Sequence, residues 1–166
     1  GVGLNGAAMQ LFTHGTITGL LFVVVGLVYE RAHTRHIPDM GGLAKQMPLI
    51  ALGFLIAGLA SLGLPTTSGF VAELLIFLGT FEVYPLATAL AAFGVVLAAG
   101  YILWTAQRLL FGPKMERWDD LTDAKAVDIA AMTVLVIPIF VVGVYPKVLT
   151  DVFESGIAPI LAGFGG

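Results

Sequence analysis

Four apolar runs in the sequence are each long enough to cross a lipid bilayer, and they constrain the fold more than any other feature. A spanning helix needs about 20 mostly apolar residues. Backbone polar groups must be paired in hydrocarbon, so spans are helices or closed barrels, and these runs are too long and continuous for barrel strands. The sequence therefore predicts an all-α, polytopic transmembrane helix bundle. We expect its spans at about residues 6–29, 48–81, 84–110 and 127–149.

The composition agrees with a membrane protein. Of the 166 residues, 58% are hydrophobic and only 11% are charged, whereas a soluble domain typically carries about 25% charged residues. The formal net charge of -3 provides no basic surface for nucleic acid. The absence of cysteine excludes disulfides and cysteine metal sites. We expect residues 1–166 to form a single membrane domain and, because the chain starts at Gly1 with no signal peptide, to be a fragment of a longer chain.

The second apolar run is interrupted in its middle, near residues 63–69. It is too long for one straight span, and glycine, proline and hydroxyl residues break its helical pattern. We expect Pro65, Thr67, Ser68 and Gly69 to shape a discontinuous helix. Irregular backbone at membrane depth persists only when protein buries it or when it lines a water-filled cavity. Discontinuous helices are typical of ion and proton carriers, although a plain proline kink is an alternative.

Glu73 follows the break and is the only charged residue between Pro48 and Phe81. An ionisable group inside a span costs at least ~2.5–3.5 kcal/mol on insertion scales, so an intramembrane acid is by default a functional group. We predict that Glu73 carries a proton and faces a hydrated cavity. The alternative is a structural hydrogen bond or ion pair to another helix.

The first span carries a polar stripe. Gln10, His14 and Thr18 are spaced by four residues, so they share one helix face. A neutral imidazole can donate and accept hydrogen bonds, so it can relay protons through water. An interhelical hydrogen bond explains the stripe equally well. On the third span, Tyr101, Thr105 and Arg108 lie on one side, towards its cytoplasmic end, and we expect Arg108 to extend to the membrane interface.

Charges outside the spans predict the orientation. The loop after the first span and the segment from Arg108 to Asp128 together hold seven of the eight Lys and Arg residues. The positive-inside rule places such segments in the cytoplasm. We therefore expect cytoplasmic loops at residues 30–47 and 111–126, and both termini on the periplasmic side of a bacterial inner membrane.

Several motifs together resemble a known family. They are Gln-Leu-Phe-Thr-His-Gly at 10–15, Tyr-Glu-Arg-Ala-His-Thr-Arg at 29–35, Gly-Gly-Leu at 41–43, Gly-Leu-Pro-Thr-Thr-Ser-Gly-Phe-Val-Ala-Glu at 63–73 and Gly-Val-Tyr-Pro at 143–146. In this order they resemble subunit M, an antiporter-like subunit of NADH–quinone oxidoreductase (respiratory complex I). The resemblance covers essentially the whole chain, which would correspond to the carboxyl-terminal portion of such a subunit.

This resemblance implies a proton-translocating membrane subunit of an enzyme, one that couples electron transport to proton pumping. It implies no redox centre, NADH site or metal on this chain. NADH, quinone, flavin and iron–sulfur clusters would be bound elsewhere in the complex. The partners would be other membrane subunits, including the sister antiporter-like subunits, together with the lipid bilayer and protons. Glu73 would match the glutamate of the outlet half-channel, and His14 the histidine that joins the central axis to it.

Two departures and two rival functions remain. Many members of the family have glycine where this chain has Thr66 and Ala72, and both residues have less backbone freedom than glycine. One rival is a subunit of a cation/proton (Mrp-type) antiporter or of a membrane-bound hydrogenase. The other is a purely structural membrane anchor, in which Glu73 is only hydrogen-bonded.

Overall fold

The computed structural model describes residues 1–164 of the chain. Within this part the protein is helical and contains no strand, which confirms the all-α prediction. The helices are α1 (Val2–Ala32), α2 (Leu43–Gln46), α3 (Pro48–Ser61), α4 (Ser68–Phe81), α5 (Pro85–Leu110), α6 (Ala126–Val144) and α7 (Lys147–Phe164).

Three of these helices, α1, α5 and α6, are long and apolar enough to cross a membrane. Their most apolar windows have mean hydropathies of 2.0, 2.2 and 2.5. Helices α3 and α4 are also apolar, but each has only 14 residues. A proline occupies the first turn of α3 and of α5, where its missing N–H removes no helical hydrogen bond.

The end of the fourth apolar run differs from the expected boundary. Helix α6 stops at Val144, whereas we expected the span to reach about residue 149. Tyr145 precedes Pro146 and has non-helical angles (φ −129°, ψ 74°), because the proline ring crowds the backbone of the residue before it. The chain then forms α7, a helix that the sequence did not lead us to expect.

The core lies where α1 packs against α3 and α6. Leu20 and Val24 of α1, Ile50 and Ala57 of α3 and Ile139 of α6 are all buried in it. A smaller cluster joins α1, α4 and α6 through Met9, Ala72 and Val142. By contrast, most large apolar side chains of α5 are exposed, as on a helix surface that faces lipid or further helices.

Charged side chains tie α1, α3 and α6 together at one end of the bundle. We call Arg31, Asp123 and Asp128 the clasp. The Arg31 guanidinium lies 2.6 Å from Asp128 Oδ2, and their side chains are only 8% and 12% exposed. Arg31 also donates to the carbonyl oxygens of Leu27 (3.0 Å) and Thr122 (2.8 Å). The N–H groups of the Arg31 guanidinium are therefore paired with a carboxylate of α6 and with backbone carbonyl oxygens of two other segments.

The third member of the clasp caps α3 from a different part of the chain. Asp123 accepts hydrogen bonds from the backbone N–H groups of Leu49 (2.8 Å) and Ile50 (3.2 Å). The first N–H groups of a helix have no partner inside the helix, so a carboxylate that accepts from them stabilises its start. The loop after α5 thereby fixes where α3 begins.

Candidate functional site: a polar cavity beside the helix break

The interruption between α3 and α4 begins with a Schellman motif. Gly63 has φ 69°, and its N–H donates to the carbonyl oxygen of Ala60 (3.2 Å). The N–H of Leu64 donates to the carbonyl oxygen of Leu59 (3.1 Å). These two bonds satisfy carbonyl groups that the end of a helix leaves unpaired. The chain therefore leaves α3 through a defined hydrogen-bonded turn.

Thr66 then adopts a backbone conformation that its side chain disfavours. Its φ is 83°, a region that β-branched residues rarely occupy. Many members of the family that the sequence motifs resemble have glycine at this position. Next, Thr67 is extended (φ −101°, ψ 155°) and precedes α4. Its hydroxyl donates to the Leu64 carbonyl oxygen (2.7 Å) rather than capping α4.

Two glycines let neighbouring helices approach the interruption closely. A Cβ atom on Gly143 of α6 would overlap the backbone of Thr66 and Thr67. A Cβ atom on Gly69, in the first turn of α4, would overlap the carbonyl oxygen of Ala60. The irregular segment is thus held between α6 and the end of α3. In the sequence, Gly143 stood out only as part of the Gly-Val-Tyr-Pro motif, and its packing against the interruption is what makes it a functional candidate.

A cavity of about 470 Å³ lies beside the interruption. Residues of α1 and α5 form its sides, and residues of α3 and α4 complete it. We call it the polar cavity, because its lining includes the side chains of Gln10, His14, Thr18, Glu73, Tyr101 and Thr105. The structure therefore brings the predicted acid and the predicted stripe of α1 to one site, although roughly 60 residues separate them in the chain.

Glu73 is half-buried and belongs to no salt bridge within residues 1–164. Its carboxylate lies beside Gly63, on the far side of the interruption in the chain. A Cβ atom at Gly63 would be 2.8 Å from Glu73 Oε2. The missing side chain of the glycine therefore provides the space that the carboxylate occupies.

The three residues of the α1 stripe have different surroundings. The Thr13 hydroxyl donates to Gln10 Oε1 (2.9 Å), which holds the amide of Gln10. The Thr18 hydroxyl donates to the backbone carbonyl oxygen of His14 (2.5 Å). Among residues 1–164, the His14 ring has no hydrogen-bond partner, and the residue is exposed. The imidazole is therefore free to form hydrogen bonds with water.

Helix α5 contributes two side chains that the sequence showed only as a polar side of the third span. Tyr101 and Thr105 both line the polar cavity, and their spacing of four residues is the signal that places them on one face. The Thr105 hydroxyl donates to the Tyr101 carbonyl oxygen (2.7 Å). Arg108 does not line this cavity. Its guanidinium lies 5.2 Å from the centre of the Trp104 ring.

Of the residues predicted to shape the break, only Gly69 lines the polar cavity. Pro65 is exposed on the irregular segment, whereas Thr67 and Ser68 are buried. Pro65 and Thr67 therefore lie in the irregular segment and Ser68 begins α4, and none of the three lines the polar cavity. The described residues include no cluster of three or more His, Cys, Asp or Glu side chains that could hold a metal ion.

A family model described as NADH:quinone oxidoreductase/Mrp antiporter, transmembrane, matches residues 1–98, which is more than half of the chain. The chain belongs to the NADH:quinone oxidoreductase/Mrp antiporter transmembrane family. In this member of the family, the matched segment contains α1, α3 and α4 and therefore both His14 and Glu73.

The sequence is also similar to named members of the family. It is 39% identical over 163 residues to NADH-quinone oxidoreductase subunit M of Rhodobacter capsulatus. The match covers 98% of this chain and 32% of that protein, so the chain spans about a third of the length of the curated relatives it matches. The resemblance to subunit M that the motifs indicated is confirmed.

Two solved structures show the same fold. Respiratory complex I from Thermus thermophilus with bound NADH contains a chain with a TM-score of 0.84 and 30% identity, covering 98% of this chain and 34% of that one. The Mrp complex from Dietzia sp. contains a chain with a TM-score of 0.80 and 19% identity, covering 90% of this chain and 36% of that one. At that lower identity the likeness concerns the fold alone.

Proposed function

We propose that this chain is part of a proton-translocating membrane subunit of an NADH–quinone oxidoreductase. The observation that carries the proposal is the position of Glu73, an acid in a polar cavity beside the interruption between α3 and α4, with no salt-bridge partner among residues 1–164. Family membership and the similarity to subunit M supply the enzymatic context. The whole complex would oxidise NADH and reduce quinone, and this part of it would move protons.

We propose that α3 and α4 together form one discontinuous span, which gives four spans in the chain. Each of these helices is 14 residues long, or about 21 Å at 1.5 Å per residue. The hydrocarbon core of a bilayer is about 30 Å thick, so neither helix alone would cross it with ease. In series, with residues 62–67 between them, they would cross it and place irregular backbone at membrane depth.

The proposed orientation follows from the basic residues. Seven of the eight Lys and Arg residues lie in the loop after α1 or between Arg108 and Asp128, which places both segments in the cytoplasm. Both termini would then face the periplasm of a bacterial inner membrane. Labelling of Ser155→Cys, but not of Lys114→Cys, by a membrane-impermeant maleimide in intact cells would support this orientation. The reverse labelling pattern would overturn it.

In the proposed mechanism, Glu73 is the group that binds and releases the proton. His14 lines the same cavity, and its ring has no hydrogen-bond partner among residues 1–164, so it would pass protons to Glu73 through water. Gln10 and Thr18 would orient water beside the imidazole. Pro65 and Thr67 would keep the segment between the two helices irregular, and Ser68 and Gly69 would begin α4, with Gly69 allowing it to start close to the end of α3.

Electron transfer would take place on other subunits, which would bind NADH, flavin, iron–sulfur clusters and quinone. Neighbouring membrane subunits, including sister antiporter-like subunits, would transmit the energy of that reaction to Glu73. This chain would therefore contribute Glu73 and the polar cavity around it. Electron transfer on the other subunits would supply the energy that moves the proton.

The decisive experiment is Glu73→Gln in the full-length subunit of the assembled complex. Glutamine keeps the size and polarity of the side chain but cannot lose a proton. We expect proton pumping by this subunit to be lost while the complex still assembles, measured as protons moved per NADH oxidised. Glu82→Gln, in the turn after α4, is the matched control and should pump normally. Normal pumping by assembled Glu73→Gln complex would refute the proposal.

A second candidate is a subunit of a cation/proton antiporter outside respiration, or of a membrane-bound hydrogenase. The family includes Mrp antiporters, and the Dietzia Mrp complex shares the fold. Purification of the intact assembly separates the candidates. Copurifying redox subunits would favour the oxidoreductase, whereas sodium-dependent proton exchange without redox partners would favour the antiporter.

A further inference from the structure

A groove of about 510 Å³ lies at the last turn of α5, between this helix and the loop after α1, and it opens to the outside of the chain. We call it the end groove. The loop supplies apolar side chains, and α5 supplies an indole, an amide and a cation. These lining residues include Ile37, Met40, Trp104, Gln107 and Arg108. A lining that is partly apolar and partly cationic suits an amphipathic ligand.

A pair of glycines holds the two sides of the end groove together. A Cβ atom on Gly41 would lie 2.9 Å from the carbonyl oxygen of Pro113, and one on Gly42 would lie 2.9 Å from that of Gly112. Gly42 also has φ 63°, a conformation that glycine adopts without steric cost. The Gly-Gly-Leu motif at 41–43 therefore packs the loop after α1 against the residues that follow α5, and this packing builds the groove.

Arg108 is held on the outer side of α5, with its charge unpaired. Ala106, Leu109 and Leu110 of the same turn are buried in the core, so Arg108 is exposed on the opposite side. Within residues 1–164 it forms no salt bridge. Its guanidinium lies 5.2 Å from the centre of the Trp104 ring. The N–H groups of the guanidinium are therefore available to an anion.

The acidic residue beside the end groove is paired with other cations. Asp39 follows Pro38, which lines the groove. Its carboxylate lies 3.0 Å from His36 Nδ1 and 3.9 Å from the Arg117 guanidinium. Among the described residues, Arg108 therefore has no carboxylate that would compete with an incoming anion.

An exposed apolar strip runs along α5 towards the end groove. Phe93, Val96 and Leu97 are 58%, 61% and 60% exposed, and Gly100 adds a shallow point with open space where a side chain would be. Arg108 lies 23 residues after Pro85, or about 35 Å along the helix. The hydrocarbon core of a bilayer is about 30 Å thick. The strip therefore lies at the depth of acyl chains, and Arg108 lies at the depth of lipid headgroups.

We propose that the end groove binds the headgroup of an anionic phospholipid, whose acyl chain lies along the apolar strip of α5. The Arg108 guanidinium binds the phosphate through two parallel hydrogen bonds, and Gln107 donates to the same headgroup. Ile37 and Met40 cover its glycerol backbone. A zwitterionic headgroup carries its own cation, which Arg108 repels, so the groove selects a lipid with net negative charge.

This inference goes beyond the proposed function, because it requires that α5 crosses the membrane and requires nothing of Glu73. The test uses the full-length subunit in its assembled complex, in nanodiscs that contain equal amounts of two probes. These are phosphatidylglycerol and phosphatidylcholine, each with the same photoreactive group on an acyl chain. Labelling of residues 93–104 is measured by mass spectrometry. We expect roughly fivefold more labelling by phosphatidylglycerol, which corresponds to the contribution of about 1 kcal/mol from one Arg near anionic lipid.

Three variants assign the preference to the end groove. Arg108→Gln should label equally with both probes, because the cation is lost while the apolar strip remains. Arg108→Lys keeps the charge but not the paired hydrogen bonds, so its preference should lie between those of wild type and Arg108→Gln. Lys45→Gln is the matched control. It removes a positive charge from an exposed residue of α2 that does not line the groove, and it should keep the wild-type preference.

Three results would overturn the site. Equal labelling by the two probes in wild type would mean that α5 is covered by lipid without recognition of a headgroup. No labelling by either probe would mean that protein covers the strip. Loss of the preference on addition of millimolar inorganic phosphate would mean that the ligand is a free anion. Glu73→Gln should keep the preference, so the lipid site and the proton-carrying role of Glu73 stand or fall separately.

Discussion

The clasp and the polar cavity both contain partly buried carboxylates, but only the carboxylates of the clasp have charged or hydrogen-bonding partners. Asp128 lies 2.6 Å from the Arg31 guanidinium, and Asp123 accepts hydrogen bonds from the N–H groups that begin α3. Glu73 has neither kind of partner within the described residues and lines a cavity instead. The carboxylates with fixed partners hold helices in place, whereas the one without them is the group that we propose carries a proton.

Removing the arginine of the clasp should have the largest effect on stability. Arg31→Ala leaves Asp128 without its cation and frees the carbonyl groups of Leu27 and Thr122. Hydrogen bonds to a charged group contribute about 1.5–3 kcal/mol each, and this variant loses several. We expect little assembled complex and a strongly reduced Tm. Arg35→Ala, in which a guanidinium over the Tyr29 ring is lost, is the control and should assemble. Equal Tm values for the two variants would mean that the clasp does not hold the bundle.

Crowding the interruption should have the next largest effect. Gly143→Ala places a methyl group against the backbone of Thr66 and Thr67, and overpacking of this kind costs about 1–3 kcal/mol. We expect a lower Tm and fewer protons pumped per NADH oxidised, because the break must shift. Gly94→Ala on α5 adds the same methyl group in open space and should change neither quantity. Normal pumping by Gly143→Ala would show that the shape of the break tolerates displacement.

Loss of the cap on α3 should be milder. Asp123→Ala removes the acceptor for the N–H groups of Leu49 and Ile50, and loss of a helix cap costs about 0.5–2 kcal/mol. We expect faster hydrogen exchange at these two amides, measured by mass spectrometry on the intact complex. Asp123→Asn retains a side-chain oxygen and should restore much of the protection. Unchanged exchange in Asp123→Ala would contradict the capping role.

The smallest effect should be a gain. Thr66→Gly removes the strain of a threonine held at φ 83°. Left-handed backbone costs a non-glycine residue roughly 1–2 kcal/mol. Part of that gain is offset because glycine loses more chain entropy on folding, so we expect a Tm slightly above wild type. Thr67→Gly is the matched control. Its backbone is extended (φ −101°), so the same change should lower Tm. A fall in both variants would exclude strain at Thr66.

These contrasts also separate what the sequence predicts from what it does not. Apolar length alone predicted the helical class. The spacing of Gln10, His14 and Thr18 predicted a shared face, which the structure places in one cavity with Glu73. Helical periodicity is a local property, and a costly acid in an apolar run stands out without knowledge of any neighbour.

Partners distant in the chain could not be predicted in the same way. Arg31 and Asp128 are 97 positions apart. In the sequence each is only a charged residue near the end of an apolar run, and nothing indicates that they form a pair. Gly143 approaches the interruption because of how α6 packs. Tertiary packing decides both, and local sequence does not encode it.

The position of the Glu73 carboxylate beside Gly63 links the proton affinity of Glu73 to the relative position of α3 and α4. One residue belongs to α4 and the other to the exit from α3, so the two helices share the space in which the carboxylate lies. Any displacement of α3 relative to α4 must change that space and hence the affinity of Glu73 for a proton. By thermodynamic reciprocity, binding a proton must also shift the balance between positions of the two helices. Proton binding at Glu73 and the relative position of α3 and α4 are therefore thermodynamically coupled, and each changes the equilibrium of the other.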